Sequence, residues 1–154
     1  MGVVISAPLA EALKKAAGGR DIEEFLAELI SARLDPPERV NLYLKLHEKY
    51  LREAEELYAM GDLQQAGEKY WGAVTALLSA IAERRGLRHF SHRDYAEVVE
   101  ILHEESGDGD IPRLFASAER LHANFYHGFL REASFRIHRS DVLTLVEKLK
   151  KFLK

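Results

Sequence analysis

Apolar residues recur at helical spacing along most of the chain, and glycine, proline and capping residues divide them into segments. Residues 3–5 are the exception, because Val-Val-Ile is a short β-branched run that favours a strand. Ser6 and Pro8 then mark the start of a helix, and Gly18 marks its end. The chain is therefore predicted to open with a short strand followed by a helix.

A second helix is predicted from Asp21, with Glu24 completing the pattern of a capping box, to about Leu34. The predicted strand has no partner strand elsewhere in the sequence, and a lone strand leaves its backbone groups unpaired. We therefore expect residues 3–5 to pair with a second chain. The alternative is that residues 1–34 form two plain helices folded onto the rest of the protein.

Five longer apolar stripes follow, and each predicts a helix. The Pro-Pro pair at 36–37 opens the first, which runs to Met60, and the Gly61-Asp62 turn opens an antiparallel second one. Ser91 with Asp94 caps a shorter third helix. The last two are predicted at about 111–127 and 132–153. The predicted fold is all-α: an up-and-down bundle of about five helices at 36–154, preceded by a strand-helix-helix unit at 1–34.

The segment VVISAPLAEALKKAAGGRDIEEFLAELI resembles the ribbon-helix-helix fold. That resemblance implies a dimer in which two strands pair and the helices interlock. The dimerisation residues would be Val3, Val4, Ile5, Phe25 and Leu29. The family reads DNA with polar and cationic side chains on its ribbon. No cation lies at residues 2–6, so specific DNA binding is disfavoured and a dimerisation role is favoured.

Composition narrows the classes of function. The net charge of −3 argues against a protein that coats nucleic acid, and the absence of cysteine excludes disulfides and cysteine-based metal or redox sites. No apolar run approaches the length of a membrane span, and the first residues lack the pattern of a signal peptide. A cytoplasmic protein that does not bind membranes is expected.

Three segments carry a second resemblance: LDPPERVNLYLKLHEKYLREAEELYAMGDLQQAGEKYWGAV, RGLRHFSHRDYAEVV and LFASAERLHANFYHGFL. In this order they resemble the archaeal PaREP family over about residues 34–150. That family is similar in turn to the HEPN helical bundles, which are often dimeric and include metal-independent ribonucleases and inactive partner proteins. A single tetratricopeptide unit at GDLQQAGEKY is the alternative, but no second copy follows at the required period.

The helix at 111–127 holds the candidate site. HEPN ribonucleases carry an arginine followed after four to six residues by a histidine, and Arg120 and His127 match that loose spacing. Seven residues make nearly two turns, so both side chains and Asn124 are predicted to share one outward face. A histidine can exchange protons near neutral pH, an arginine can stabilise phosphate charge, and Asn124 can orient either group.

The same helix is interpreted in two further ways. Arg113, His122 and Tyr126 can form an inactive edge for a ligand or partner, or the whole stripe can be a solvated face. Leu121 stands where the active HEPN pattern has a polar residue, which weakens the prediction of catalysis. No complete metal-ligand pattern is present and no cofactor is expected, because His89 and His92 lack a third ligand and Trp71 is interpreted as packing.

The favoured function is a non-enzymatic, dimeric or higher-order interaction module, with a nucleotide or RNA as a candidate ligand. A metal-independent endoribonuclease using Arg120 and His127 is the first alternative. A DNA-binding regulator acting through an N-terminal ribbon is the second.

Overall fold

The computed structural model describes residues 2–154, and every regular element within them is helical. Seven α-helices follow along the chain: α1 (Ala7–Ala17), α2 (Ile22–Ser31), α3 (Pro36–Ala59), α4 (Leu63–Arg85), α5 (His92–Ser106), α6 (Asp110–His127) and α7 (Glu132–Lys150). A 3-10 turn, Lys151–Leu153, follows α7. The prediction of an all-α protein is confirmed.

The predicted strand at residues 3–5 is wrong. Residues 2–6 carry no regular structure, and Val3 and Val4 are 87% and 97% exposed. A β-branched run favours extended backbone, but a strand also needs a neighbour to pair its backbone groups, and the described chain supplies none. Residues 2–6 therefore form no ribbon, and the ribbon-helix-helix interpretation does not hold for this segment. The hypothesis of DNA binding through a ribbon has no structural basis.

The predicted architecture, a strand-helix-helix unit followed by a bundle of about five helices, is corrected accordingly. Residues 2–154 contain seven α-helices, two before Asp35 and five after it. These helices belong to two compact units that divide between Asp35 and Pro36.

The first unit is a pair of short helices. α1 ends at Gly18, whose φ of 61° lies in the left-handed region that glycine adopts without strain. α2 begins after Asp21, whose side chain accepts a hydrogen bond of 3.0 Å from the Glu24 amide, as the sequence predicts. The fully buried residues of the two helices are all small: Ala17, Ala27 and Ser31.

The second unit is a helical bundle built around α4. Helices α3 and α4 are joined by the predicted Gly61-Asp62 turn, in which Asp62 caps the Gln65 amide at 3.2 Å. α4 packs against α3, α5, α6 and α7, and every residue from Gly67 to Ala82 is buried except two at its start. Small residues among them let the neighbouring helices approach closely. None of the helices between Gly2 and Lys154 is long and apolar enough to cross a membrane.

Candidate functional site

Helix α6 is held against the centre of the bundle by its apolar side. Leu114, Ala118 and Leu121 are buried there against α4 and α7. Gly67 of α4 lies so close that a Cβ atom on it would stand 2.5 Å from the Leu121 carbonyl oxygen. This close approach fixes the depth of α6 and therefore the position of every side chain on its outer edge.

The carboxyl end of α6 is fixed by two hydrogen bonds. Gly128, with φ of 58°, donates its amide to the Asn124 carbonyl at 2.9 Å, so the helix stops where the sequence predicts. Gln64 of α4 donates to the Phe125 carbonyl at 3.4 Å. These bonds fix the direction in which the chain leaves α6, and therefore the position of Phe129 in the loop that follows.

Asn124 lies inside the protein rather than on the predicted outward face. It is 1% exposed, and its Oδ1 accepts a hydrogen bond of 2.7 Å from the Leu130 amide. It follows Leu121 by three residues, so the helical repeat places it on the core side. Its Nδ2 is buried without a hydrogen-bond partner. The observed contact positions the loop after α6.

Arg120 and His127 both contact Phe129. The Arg120 guanidinium carbon stands 4.1 Å from the centre of the Phe129 ring, a cation–π geometry. The His127 and Phe129 ring centres are 6.3 Å apart with planes inclined by 30°. Helical direction alone predicts that the arginine points away from the histidine, but the loop residue Phe129 lies against both. Phe129 is 39% exposed, so this group is accessible to solvent.

The predicted ligand or partner edge is spread along α6. Arg113 is highly exposed and forms an ion pair with Asp110, one turn before it. It precedes Arg120 by two turns, about 10 Å along the axis. Tyr126 is 60% exposed, and its ring meets the His122 ring edge-on with centres 5.3 Å apart. Tyr126 and His122 therefore lie together, while Arg113 stands apart from them.

His122 is tied to α4 by a carboxylate and an indole. Its Nδ1 lies 2.9 Å from Glu68 Oε2, and its ring stacks on Trp71 with centres 4.7 Å apart. An ionised carboxylate only accepts hydrogen bonds, so Nδ1 carries the proton that it donates. In the neutral imidazole the Nε2 atom is then the acceptor.

A second histidine packs on the same indole. His92, at the start of α5, stacks on Trp71 with ring centres 5.3 Å apart, and its Nε2 lies 2.6 Å from Glu119 Oε1 of α6. Trp71 itself is buried, in agreement with its interpretation as packing. These two histidine–glutamate pairs were not predictable from the sequence, because their members are 27 and 54 residues apart. No local spacing rule could have found them.

These groups can bind and position a ligand through stacking and hydrogen bonds. Within residues 2–154 no three histidine, aspartate or glutamate side chains gather in a way that could hold a metal ion. His47 of α3 is buried elsewhere in the bundle, with its Nδ1 2.7 Å from the Ala73 carbonyl oxygen. Burial lowers the pKa of His47 despite that hydrogen bond.

The chain resembles a known family and a known structure. It is similar to a protein from Sulfolobus solfataricus whose crystal structure is known, with 27% sequence identity and a TM-score of 0.62. The alignment covers 70% of this chain and 96% of that one. No curated protein matches the chain significantly. The model of the archaeal PaREP1/PaREP8 family matches residues 42–146, which is more than half of the sequence. The chain therefore belongs to the archaeal PaREP1/PaREP8 family.

Proposed function

We propose that the protein is a non-enzymatic binding module that holds a nucleotide or single-stranded RNA on the outer edge of α6. One observation carries the proposal: the exposed Phe129 ring lies 4.1 Å from the Arg120 guanidinium. Tyr126, 60% exposed, lies in the last turn of the same helix. Aromatic rings stack on bases, and a guanidinium pairs with phosphate oxygens. The edge offers both chemistries side by side.

Binding is favoured over catalysis because the other polar side chains near this edge already make hydrogen bonds within the protein. Asn124 is buried and holds the loop, and the imidazole of His122 is hydrogen-bonded to Glu68. The Arg120 guanidinium rests on an aromatic face, an arrangement that presents its edge to an anion. The geometry supports a preorganised recognition surface.

The chain contains its own reporter for this surface. Trp71 is the only tryptophan, and it stacks on His122, which in turn contacts Tyr126. We expect ATP and a short oligouridylate to change the Trp71 fluorescence in a saturable way. The affinity measured by this change should fall as the salt concentration is raised. Phe129→Ala should weaken oligouridylate binding by about tenfold, the usual effect of losing one stacked base.

Met60→Ala is the matched control, because Met60 is 78% exposed and follows α3 rather than α6. This variant should bind as the wild type does. Absence of saturable binding of either probe at low salt would overturn the proposal. Equal affinity of the wild type and Phe129→Ala would do the same.

A metal-independent ribonuclease is the second candidate, and it also draws on the resemblance of the bundle to HEPN proteins. The observation in its favour is that Arg120 and His127 contact one ring, Phe129. His127 would take the proton from the RNA 2′-hydroxyl as its oxygen attacks phosphorus, and Arg120 would stabilise the phosphate charge. The bond between phosphorus and the 5′-oxygen would break, and that oxygen would leave with a proton from water, giving a 2′,3′-cyclic phosphate and a 5′-hydroxyl, while His127 would return its proton to solvent. Cleavage of RNA in EDTA that is lost in His127→Ala would support this candidate, and intact RNA after incubation with clean protein would exclude it.

A further inference from the structure

None of the large apolar side chains of α2 is fully buried: two are exposed and the other three are partly buried. Successive helical residues are about 100° apart, so Ile22, Leu26 and Leu29 share one side of α2. Phe25 and Ile30 flank that stripe, and Leu29 and Ile30 are each 50% exposed. The fully buried positions are Ala27 and Ser31, on the opposite side. A helix in a monomeric protein normally buries its large apolar side chains, and α2 buries its small ones instead.

The unit formed by residues 2–35 has almost no core of its own. Its only buried hydrophobic residues are Ala17 and Ala27. Leu9 of α1 is 51% exposed, and Val3 and Val4 are almost fully exposed. A segment of this size cannot bury enough apolar surface to stabilise itself and usually gains stability from association. Exposed aliphatic side chains gathered in one small unit are typical of an interface.

We propose that this surface binds the same surface of a second copy of the chain, with the two α2 helices packed antiparallel. The first turn of α2 is acidic, with Glu23 and Glu24, and the exposed Arg33 follows the helix end at Ser31. Antiparallel packing brings Arg33 of each copy to the acidic turn of the other, and a two-fold axis makes the contact twice. Parallel packing would place acid beside acid.

The charges on α2 also favour a second copy of the chain over a membrane as the partner of this surface. Helices that lie on membranes carry lysine and arginine on their polar side. The polar side of α2 carries Glu24 and Glu28, which anionic lipids would repel. A second copy, by contrast, supplies both the aliphatic stripe and the matching cation.

α2 alone is too short to form the whole dimer interface. Ten residues of helix span about 15 Å, whereas a stable dimer buries about 1,200–2,000 Å² in total. We therefore assign Leu9 and the segment 3–5 to the same interface, where their exposed side chains would be covered. The inferred interface includes the dimerisation residues that the sequence predicts, but it has no ribbon. This surface lies outside α6, so the inference stands apart from the proposed function.

The mass of the full chain in solution tests the inference. Light scattering at micromolar concentration should give twice the chain mass of 17.5 kDa. Leu29→Glu should raise the dimer dissociation constant by about tenfold or more, because it buries a charge in an apolar contact. Ile137→Glu is the matched control, since Ile137 of α7 is 62% exposed, and it should leave the dimer intact.

Charge reversal tests the antiparallel packing. Arg33→Glu should weaken the dimer several-fold, and adding Glu23→Arg to that variant should restore part of the loss. Circular dichroism shows whether each variant keeps its helix content. A wild-type monomer at micromolar concentration would overturn the inference, as would a dimer that survives Leu29→Glu or dissociates in Ile137→Glu. A double variant weaker than Arg33→Glu alone would contradict the packing direction.

Discussion

Gly67 and Leu121 bring α4 and α6 closer together than any other residue at position 67 would allow. A Cβ atom at that position would lie 2.5 Å from the Leu121 carbonyl oxygen and 3.3 Å from its carbonyl carbon. Both are backbone atoms, so they cannot move aside as a flexible side chain can. The outer edge of α6 owes its position to this contact.

Gly67→Ala should therefore destabilise the protein even though alanine favours helices. We expect the free energy of unfolding to fall by about 1–3 kcal/mol, the usual cost of overpacking a core. Gly109→Ala is the matched control, because a Cβ atom added to Gly109 would have nothing within 4 Å, and this residue precedes α6 with φ of −66°. Urea denaturation of both variants measures the difference, and an unaffected Gly67→Ala would contradict the close packing.

Asn124→Ala should release the loop that carries Phe129. The substitution removes the acceptor of the Leu130 amide, so that amide loses a partly buried hydrogen bond. We expect faster hydrogen exchange of the Leu130 amide and a loss of about 1–2 kcal/mol in the free energy of unfolding. Unchanged exchange at Leu130 would show that Asn124 does not hold the loop.

Local signals in the sequence predicted much of the helical part of this fold. The Gly61-Asp62 turn, the Ser91-Asp94 cap and the end of α6 at Gly128 each depend on a few neighbouring residues, and the structure has all three. The strand at residues 3–5 was wrong because β propensity describes a side chain's preference for a sheet, not the presence of one. Nothing local distinguishes a paired strand from an exposed apolar segment.

His47 should make the protein less stable as the pH falls. Burial holds its pKa below the ordinary value of 6.5, so between the folded and unfolded pKa values the unfolded chain binds the extra proton. The free energy of unfolding should decrease as the pH is lowered through about 6.5. His47→Asn keeps a donor near the Ala73 carbonyl but cannot titrate, so its stability should fall less over the same range. Chemical denaturation between neutral and mildly acidic pH compares the two, and identical slopes would refute the assignment.

Glu83 should stabilise the bundle above its ordinary pKa and lose that effect in acid. Burial raises the pKa of Glu83, but hydrogen bonds from His89 at 2.7 Å and Arg39 at 2.8 Å outweigh it and lower the pKa below 4.5. Its stabilisation is thus present above that value and is lost as the pH falls through the lowered pKa. Glu83→Gln should lower the free energy of unfolding by about 2 kcal/mol near neutral pH, and by less in acid.

Glu147→Gln provides the comparison for Glu83. Glu147 is 74% exposed and pairs with Lys150 at 3.4 Å on the surface of α7. Such pairs contribute little to stability, so this variant should unfold almost as the wild type does at each pH. Equal effects of the two substitutions would show that the Glu83 contacts are no stronger than a surface ion pair.

The candidate site was predictable only where its members share a helix. Arg120, His122, Tyr126 and His127 are all on α6, and their helical spacing placed them on or near its outer side. Phe129 and Glu68 were missed because a loop and another helix supply them. Asn124 was placed outward because it lies four residues after Arg120 and three before His127, although its spacing from Leu121 also favoured the core.

Photocrosslinking tests the binding claim most directly. A short single-stranded RNA containing 4-thiouridine should crosslink to the full chain at low salt, and mass spectrometry should locate the crosslink at Tyr126 or Phe129. The RNA should remain intact in EDTA, since the edge is proposed to bind and not to cleave. A crosslink confined to residues outside α6 and the loop after it, or none at low salt, would contradict the account.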